Sequence, residues 1–322
     1  MKFLKAIQKA AGSVDPGARS GTDGNKKVGH TLPAVLQDAN LKIGGVSSAV
    51  RTQTDVSSVP ISARTVEEIG PPGDFDPAET AIKKTFPALD IIPENVNPHL
   101  VAITSPHSAY CEEYRSLRTQ LLHKSREQHL QAIVIASIGP GEGKSVTALN
   151  LSWLLAQTDG LTSLVIDSDL RRPSLMQYLG LQTEMGLSKV LDGDASLEES
   201  IVELKPAGLF LLPGGESRSD VTELISGTKF KDILRQARSM FDYVIIDAPP
   251  LGVFTDAAIL INEADGALLV VKANQTRYSD INRVLESLPR NRMLGTILNQ
   301  SEEDSTIERY YGYDQYKGLL AG

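Results

Sequence analysis

Residues 137–145 read Ser-Ile-Gly-Pro-Gly-Glu-Gly-Lys-Ser. They follow the apolar run Ala-Ile-Val-Ile-Ala of residues 132–136 and precede a helix-compatible run over 147–156. A buried strand, a glycine-rich turn, Lys-Ser and a helix are the parts of a phosphate cradle, and few patterns constrain a fold so tightly. Gly139, Gly141 and Gly143 let backbone N–H groups turn inward onto phosphate oxygens, with Pro140, Glu142 and Val146 completing the stretch. The start of the helix adds partial positive charge where a polyphosphate sits. In this pattern Lys144 reaches the β- and γ-phosphates and the Ser145 hydroxyl ligates Mg²⁺.

The rest of the chain supplies the sheet that such a loop needs. Short apolar runs recur over 163–167, 209–213, 243–247, 267–272 and 295–298, separated by helix-compatible segments. Continuous Val, Ile and Leu strands alternating with helices predict an α/β fold of the P-loop NTPase kind, a mostly parallel sheet with helices on both faces. Ligands in such sheets sit beyond the carboxyl ends of the strands. Ser137, Asp167, Asp247 and Asn299 fall there.

Two acidic strand ends give the cradle its chemistry. Tyr-Val-Ile-Ile-Asp over 243–247 ends on Asp247, four apolar residues and then a carboxylate at the strand tip, as in a Walker B aspartate that holds Mg²⁺. Residues 165–173 read Val-Ile-Asp-Ser-Asp-Leu-Arg-Arg-Pro. Asp167 and Asp169 either share the cation's field, or one of them takes a proton from an attacking hydroxyl. Arg171 and Arg172 stand either to stabilise charge on a transferring phosphate or as surface arginines.

Outside the sheet, residues 1–11 carry Phe3, Leu4, Ile7 and Ala11 on one helical face and lysines on another, a possible short amphipathic helix. Residues 12–92 are rich in Gly, Ser, Thr, Pro and Asp with little periodicity, which predicts a mostly disordered linker. A folded domain is expected over 93–305, and a mobile tail over 306–322. That tail holds four of the nine tyrosines, Tyr310, Tyr311, Tyr313 and Tyr316. Their spacing fits neither a helical stripe nor a strand alternation, and a mobile run of phenols is a plausible phosphoryl acceptor. The net charge of −8 argues against a nucleic-acid binder. Cys111, the one cysteine, leaves no internal disulfide and fits a reducing compartment. No apolar run approaches the roughly 20 residues that span a bilayer. The expectation is a soluble, cytoplasmic chain that meets a membrane through a partner.

In these motifs and their order, the chain resembles the bacterial tyrosine kinases, the P-loop autokinases of exopolysaccharide and capsule export. Residues 137–145 resemble their Walker A, 165–173 their Walker A′ and 244–250 their Walker B. Residues 112–118, Glu-Glu-Tyr-Arg-Ser-Leu-Arg, are similar to the family's Glu-x-x-Arg-x-x-Arg helix. The segments Gly186-Leu187-Ser188 and Leu212-Pro213-Gly214-Gly215 are further landmarks. The resemblance implies ATP and Mg²⁺ as cofactors, Lys144, Asp167, Asp169 and Asp247 as the catalytic set, and Ser145, Asp167 and Asp247 around the metal. It implies Asp167 as the leading proton acceptor, Arg171 at the nucleotide, and Asn299 at the position that reads adenine. It implies autophosphorylation in trans of Tyr310, Tyr311, Tyr313 and Tyr316, and a ring-like homo-oligomer held through Glu112, Arg115 and Arg118. It further implies a membrane chain-length regulator that activates the kinase and recruits it to the inner face of the cell membrane, and a cognate tyrosine phosphatase. The chain looks like the free cytoplasmic form, with no fused transmembrane domain. Residues 220–224, Asp-Val-Thr-Glu-Leu, replace the Asn-Pro-x-Glu-Leu often found in the family.

Two other readings remain at this point. A partition or positioning ATPase of the same branch carries a second lysine five residues before the cradle lysine, where this chain has Gly139. An ATP-responsive scaffold of an export complex, with weak or lost catalysis, would keep every nucleotide-binding part. The protein kinases with His-Arg-Asp and Asp-Phe-Gly loops are excluded, since neither motif occurs.

Overall fold

The computed structural model describes residues 86–301. The expected N-terminal helix, nearly all of the expected linker, and the tail with its four tyrosines lie outside the described residues. Eight strands form one sheet: β1 (Ala88–Asp90), β2 (Ala132–Ser137), β3 (Ser163–Asp167), β4 (Val202–Lys205), β5 (Leu209–Leu212), β6 (Tyr243–Asp247), β7 (Gly266–Lys272) and β8 (Met293–Asn299). Their order is β1-β4-β5-β3-β6-β2-β7-β8. The neighbours from β5 to β8 all pair parallel. β4 pairs antiparallel to β5 and parallel to β1, so that edge runs against the rest.

The sequence reading missed β1 and β4, and both misses have one cause. They are short and half-exposed, so neither carries the continuous apolar run of a strand covered on both faces. β1 also lies ahead of the domain boundary expected at residue 93. Phe86, just before it, packs against Phe210 and Phe241.

The central strands are buried from end to end, and their alternation divides the core in two. On β2, Ile133 and Ile135 face one cluster while Ala132, Val134 and Ala136 face the other. On β6, Tyr243 and Ile245 oppose Val244 and Ile246 in the same way. The first cluster is covered by the helices Lys144–Ala156 and Ala109–Gln128, and the second by Thr228–Met240 and Asp256–Glu263. Leu149, Leu151, Leu154 and Leu155 bury the Lys144–Ala156 helix almost completely, which fixes its N-terminus at the tip of β2. Asn150 on this helix donates to the carbonyl of His99 and accepts from the amide of Ala102, tying in the segment before the Ala109–Gln128 helix. That longer helix begins at Ser108, whose hydroxyl accepts from the Cys111 amide, a standard N-cap. Among the described residues no helix is long and apolar enough to cross a membrane.

Candidate functional site

Because β5, β3, β6, β2, β7 and β8 are parallel, their carboxyl ends open on one side, and Asp167, Asp247, Ser137 and Asn299 end four of them. Asp167 and Asp247 are register partners on adjacent strands. Ile135, two residues before the end of β2, pairs with Asp247. This register carries the glycine-rich loop beside both acids.

The loop is braced from behind. The buried Glu142 carboxylate accepts the amide hydrogens of Ile138 at 2.7 Å and Gly139 at 3.0 Å. Its other oxygen accepts the hydroxyl of Thr276, which in turn accepts from the Lys272 amide. The Asn299 side-chain amide donates to the Glu142 carbonyl at 2.8 Å, and its oxygen accepts from the Gln300 amide. Gly143 is left-handed at φ 96°, and a Cβ there would stand 2.1 Å from the Asn299 amide nitrogen. Glycine is required at this position on both counts. Pro140 and Gly141 form the exposed rim, and Val146 packs at the edge of the core.

In front of the loop lies a cluster of opposite charge. Lys144 Nζ is 3.0 Å from Asp169 Oδ2 and 3.5 Å from Asp247 Oδ1, and it donates to Ser145 Oγ at 3.1 Å. Burial alone would depress the Lys144 ammonium, but the carboxylates of Asp247 and Asp169 outweigh it and hold it above its ordinary value. Asp167 Oδ2 accepts from the amides of Ser174 and Leu175 at 2.8 and 3.0 Å. Its Oδ1 and both oxygens of Asp247 are buried and accept no hydrogen bond among the described residues, Asp247 having only the longer ion pair to Lys144. Burial first, and the facing Asp247 second, push the Asp167 carboxyl up to about 7 against the pull of the two amides and Lys144. Burial likewise raises Asp247.

Buried carboxylates with this few hydrogen bonds are costly even beside Lys144, and a cation answers the need. Among the described residues no three or more His, Cys, Asp or Glu side chains form a metal cage. Magnesium does not require one, because it is usually bound by one or two carboxylates together with substrate phosphates and water. Asp167, Asp247 and the Ser145 hydroxyl fit that pattern.

Arg171, Asn299, Glu112, Arg115 and Arg118, all picked out by sequence, have partners within the described residues. The Arg171 guanidinium bonds Asp256 at 2.8 Å, Thr222 at 3.1 Å and the Ser219 carbonyl at 3.3 Å, over the Phe254 ring. It ties the loop after β3 to the segment after β6. Thr222, in the stretch that departs from the family pattern, also donates to Asp256 at 2.6 Å. Asn299 is engaged with the cradle as described. Arg118 donates to the Leu154 carbonyl at 3.1 Å, at the far end of the cradle helix, and Arg115 pairs with Glu112 on its own helix. Sequence reasoning passed over Thr276 and Asp256. Nothing marks Thr276 in its loop, whereas a lone acid opening the apolar run Asp-Ala-Ala-Ile-Leu-Ile was a signal for a buried, paired carboxylate.

The likeness to known proteins agrees with this geometry. A family model described as an AAA domain matches residues 130–293, half of the chain. Tyrosine-protein kinase YwqD of Bacillus subtilis is 34% identical over 217 residues, covering 67% of this chain and 90% of that protein. The succinoglycan biosynthesis transport protein ExoP of Rhizobium meliloti is 31% identical over 219 residues, which cover 66% of this chain but 28% of ExoP. The kinase domain of Escherichia coli tyrosine kinase ETK superposes with a TM-score of 0.61 at 26% identity, covering 64% of this chain and 81% of that domain. With 34% identity to a tyrosine-protein kinase over two thirds of its length, the chain that carries this cradle and these two strand-end acids belongs to the bacterial tyrosine-protein kinase family.

Proposed function

We propose that this chain transfers the γ-phosphoryl group of ATP to the tyrosines of its C-terminal cluster, Tyr310, Tyr311, Tyr313 and Tyr316, one copy acting on the next. The observation that carries the reading is the Asp167–Asp247 pair beside Lys144, buried, with three of its four oxygens accepting no hydrogen bond among the described residues. Lys144 and the loop amides hold the β- and γ-phosphates, and Asp169 positions Lys144. Ser145, Asp167 and Asp247 would hold Mg²⁺, which would supply neutralisation of charge on the phosphate oxygens. Asp167 has a second duty. Its two backbone hydrogen bonds fix one oxygen and leave the other free to take the phenolic proton. Burial and the facing Asp247 raise this carboxyl before any cation binds, which favours proton uptake there. The phenolic oxygen attacks the γ-phosphorus in line, the bond from phosphorus to the bridging oxygen breaks to leave ADP, and the proton passes to Asp167. Arg171 acts on the loops rather than on phosphate, and Asn299 positions the cradle while standing at the base-reading position.

The biological setting follows the relatives' names. ExoP is a polysaccharide transport protein, and regulation of exopolysaccharide or capsule assembly is the setting proposed for this chain. Recruitment to the inner face of the cell membrane by a chain-length-regulator partner, reversal by a tyrosine phosphatase, and a ring of copies joined through Glu112 and Arg115 complete the proposal. Arg118 would connect such a ring to the cradle helix through Leu154.

Phosphotyrosine mapping of the chain isolated from its own host tests the reading. Labelling at residues 310–316 is expected in the native chain and none in Lys144→Met. ATP binding with an unlabelled tail would instead favour the scaffold. Labelling of a Lys144→Met chain by a tailless copy would establish transfer between copies.

A further inference from the structure

The turn that carries Asp169 is gripped by residues remote from it in sequence. The Leu170 carbonyl accepts the Arg218 amide at 2.8 Å, and the Arg171 carbonyl accepts the Ser217 hydroxyl at 2.8 Å. The Asp169 carbonyl accepts the Arg172 amide at 2.9 Å, closing the turn on itself. The Arg171 side chain reaches the other way. Its Nε donates to Asp256 Oδ2 at 2.8 Å and its Nη2 to the Thr222 hydroxyl at 3.1 Å. That hydroxyl in turn donates to Asp256 Oδ1 at 2.6 Å, and the Phe254 ring lies 4.5 Å from the guanidinium carbon. Both Asp256 oxygens are engaged, and the residue is fully buried.

A buried ion pair is a poor device for stability alone, since apolar side chains of similar volume often serve as well. What this one supplies is direction. The segment that ends at Asp256 is anchored on the cradle at its other end. The amides of Leu251 and Gly252 donate to the carbonyls of Ser137 and Ile138, both at 2.8 Å. A Cβ on Gly252 would stand 2.7 Å from the Ile138 oxygen, so only glycine lets the segment lie this close. The contacts close a circuit. It runs from the start of the glycine-rich loop through Gly252 to Asp256, then across to Arg171 and back along the turn to Asp169. From Asp169 it returns to the loop at Lys144, 3.0 Å away.

We infer that Asp256 is a positioning residue for the reaction: by fixing Arg171 it holds Asp169 where that carboxylate aims Lys144 at the phosphates. This rests on the reading of Lys144 as a phosphate ligand, given above. Arginine suits the joint because its planar fork bonds Asp256 and Thr222 while its face lies against Phe254, which lysine cannot reproduce. The assignment also gives the stretch 220–224 a task, since Thr222 supplies the hydroxyl that locks Asp256 Oδ1. Asp256 acts through Arg171 and the turn, not on the phosphates.

A double-mutant cycle on the full chain tests the inference, read by calorimetry as affinity for the β,γ-imido analogue of ATP with Mg²⁺. Asp256→Asn and Asp169→Asn are each expected to weaken binding about tenfold, and the double variant no further than Asp169→Asn alone, as for members of one network. A role confined to stability would leave independent losses that add. Arg171→Lys, which keeps the charge and loses the fork, is expected to match Asp256→Asn, and it runs the same cycle if Asp256→Asn does not fold. Thr222→Val, which removes one hydrogen bond from Asp256, is expected to cost about threefold. Unchanged affinity in both Asp256→Asn and Arg171→Lys, or a double variant about a hundredfold weaker than wild type, would overturn the assignment. Affinity unmoved by Lys144→Met would fault the phosphate reading on which the inference rests. Affinity lost in Lys144→Met, with additive losses in the cycle, would overturn the role of Asp256 and leave that reading standing.

Discussion

The back and the front of the glycine-rich loop are built on opposite principles. Behind it, Glu142, Thr276 and Asn299 form a network in which the carboxylate and the carbonyl of Glu142 both have partners. In front, three carboxylate oxygens of Asp167 and Asp247 are buried and accept no hydrogen bond among the described residues, with Lys144 at 3.5 Å from one of them. The difference separates two tasks. A surface that cradles phosphate works by being in place beforehand, so its donors are fixed by satisfied bonds. A surface that must take up a cation and a proton has to keep its lone pairs free, and the fold bears the electrostatic penalty of doing so.

The largest expected effect breaks the front. Asp167→Asn preserves an oxygen for the Ser174 and Leu175 amides but removes the proton acceptor. Tail phosphorylation should fall about 10²–10⁴-fold, the usual range for general-base catalysis, as read by quantitative phosphotyrosine mass spectrometry. A rate within tenfold of wild type would take the proton away from Asp167.

The next breaks the back. Gly143→Ala forces a side chain into a left-handed backbone and onto Asn299. Strain of this kind amounts to about 1–3 kcal/mol, so ATP affinity by calorimetry should drop about 10–100-fold. Smaller still is Thr276→Val, which removes one hydroxyl from Glu142 while keeping its shape. Loss of about 1 kcal/mol predicts an ATP affinity about fivefold weaker, with the transfer rate at saturating ATP little changed. A variant with normal ATP affinity and slow transfer would place Thr276 in the chemistry and collapse the distinction between back and front.

How much of this could be read in advance differs between the same two regions. The front was legible. Asp167 and Asp247 each end an unbroken apolar strand, and a carboxylate at the tip of such a strand has few other uses. The loop itself was legible from its glycines and Lys-Ser. The network behind it was not, because its members come from the loops after β2 and β7 and from the end of β8, and local sequence does not say which of these meet. Thr276 lies 134 residues from Glu142. Arg171 shows the same limit: its place after the paired acids suggested a phosphate ligand, but Asp256, 85 residues away, holds it. The sheet divides likewise, since the buried strands announced themselves and the half-exposed edge strands β1 and β4 did not.

The penalty at the front has a definite pH signature. In the unfolded chain Asp167 titrates near the ordinary carboxylate value; in the folded chain burial and Asp247 raise it to about 7. Between those values the folded form holds a proton that the unfolded form releases, so stability falls as pH rises through the window and the full penalty applies above it. Asn at this position carries no such penalty. Thermal melts of wild type and Asp167→Asn, without nucleotide, at pH 8 and pH 4.5 measure it directly. Asp167→Asn is expected to melt several degrees higher than wild type at pH 8, at about 2–4 °C per kcal/mol for a domain of this size, with the gap narrowing at pH 4.5. A variant that melts lower than wild type at pH 8 would contradict it.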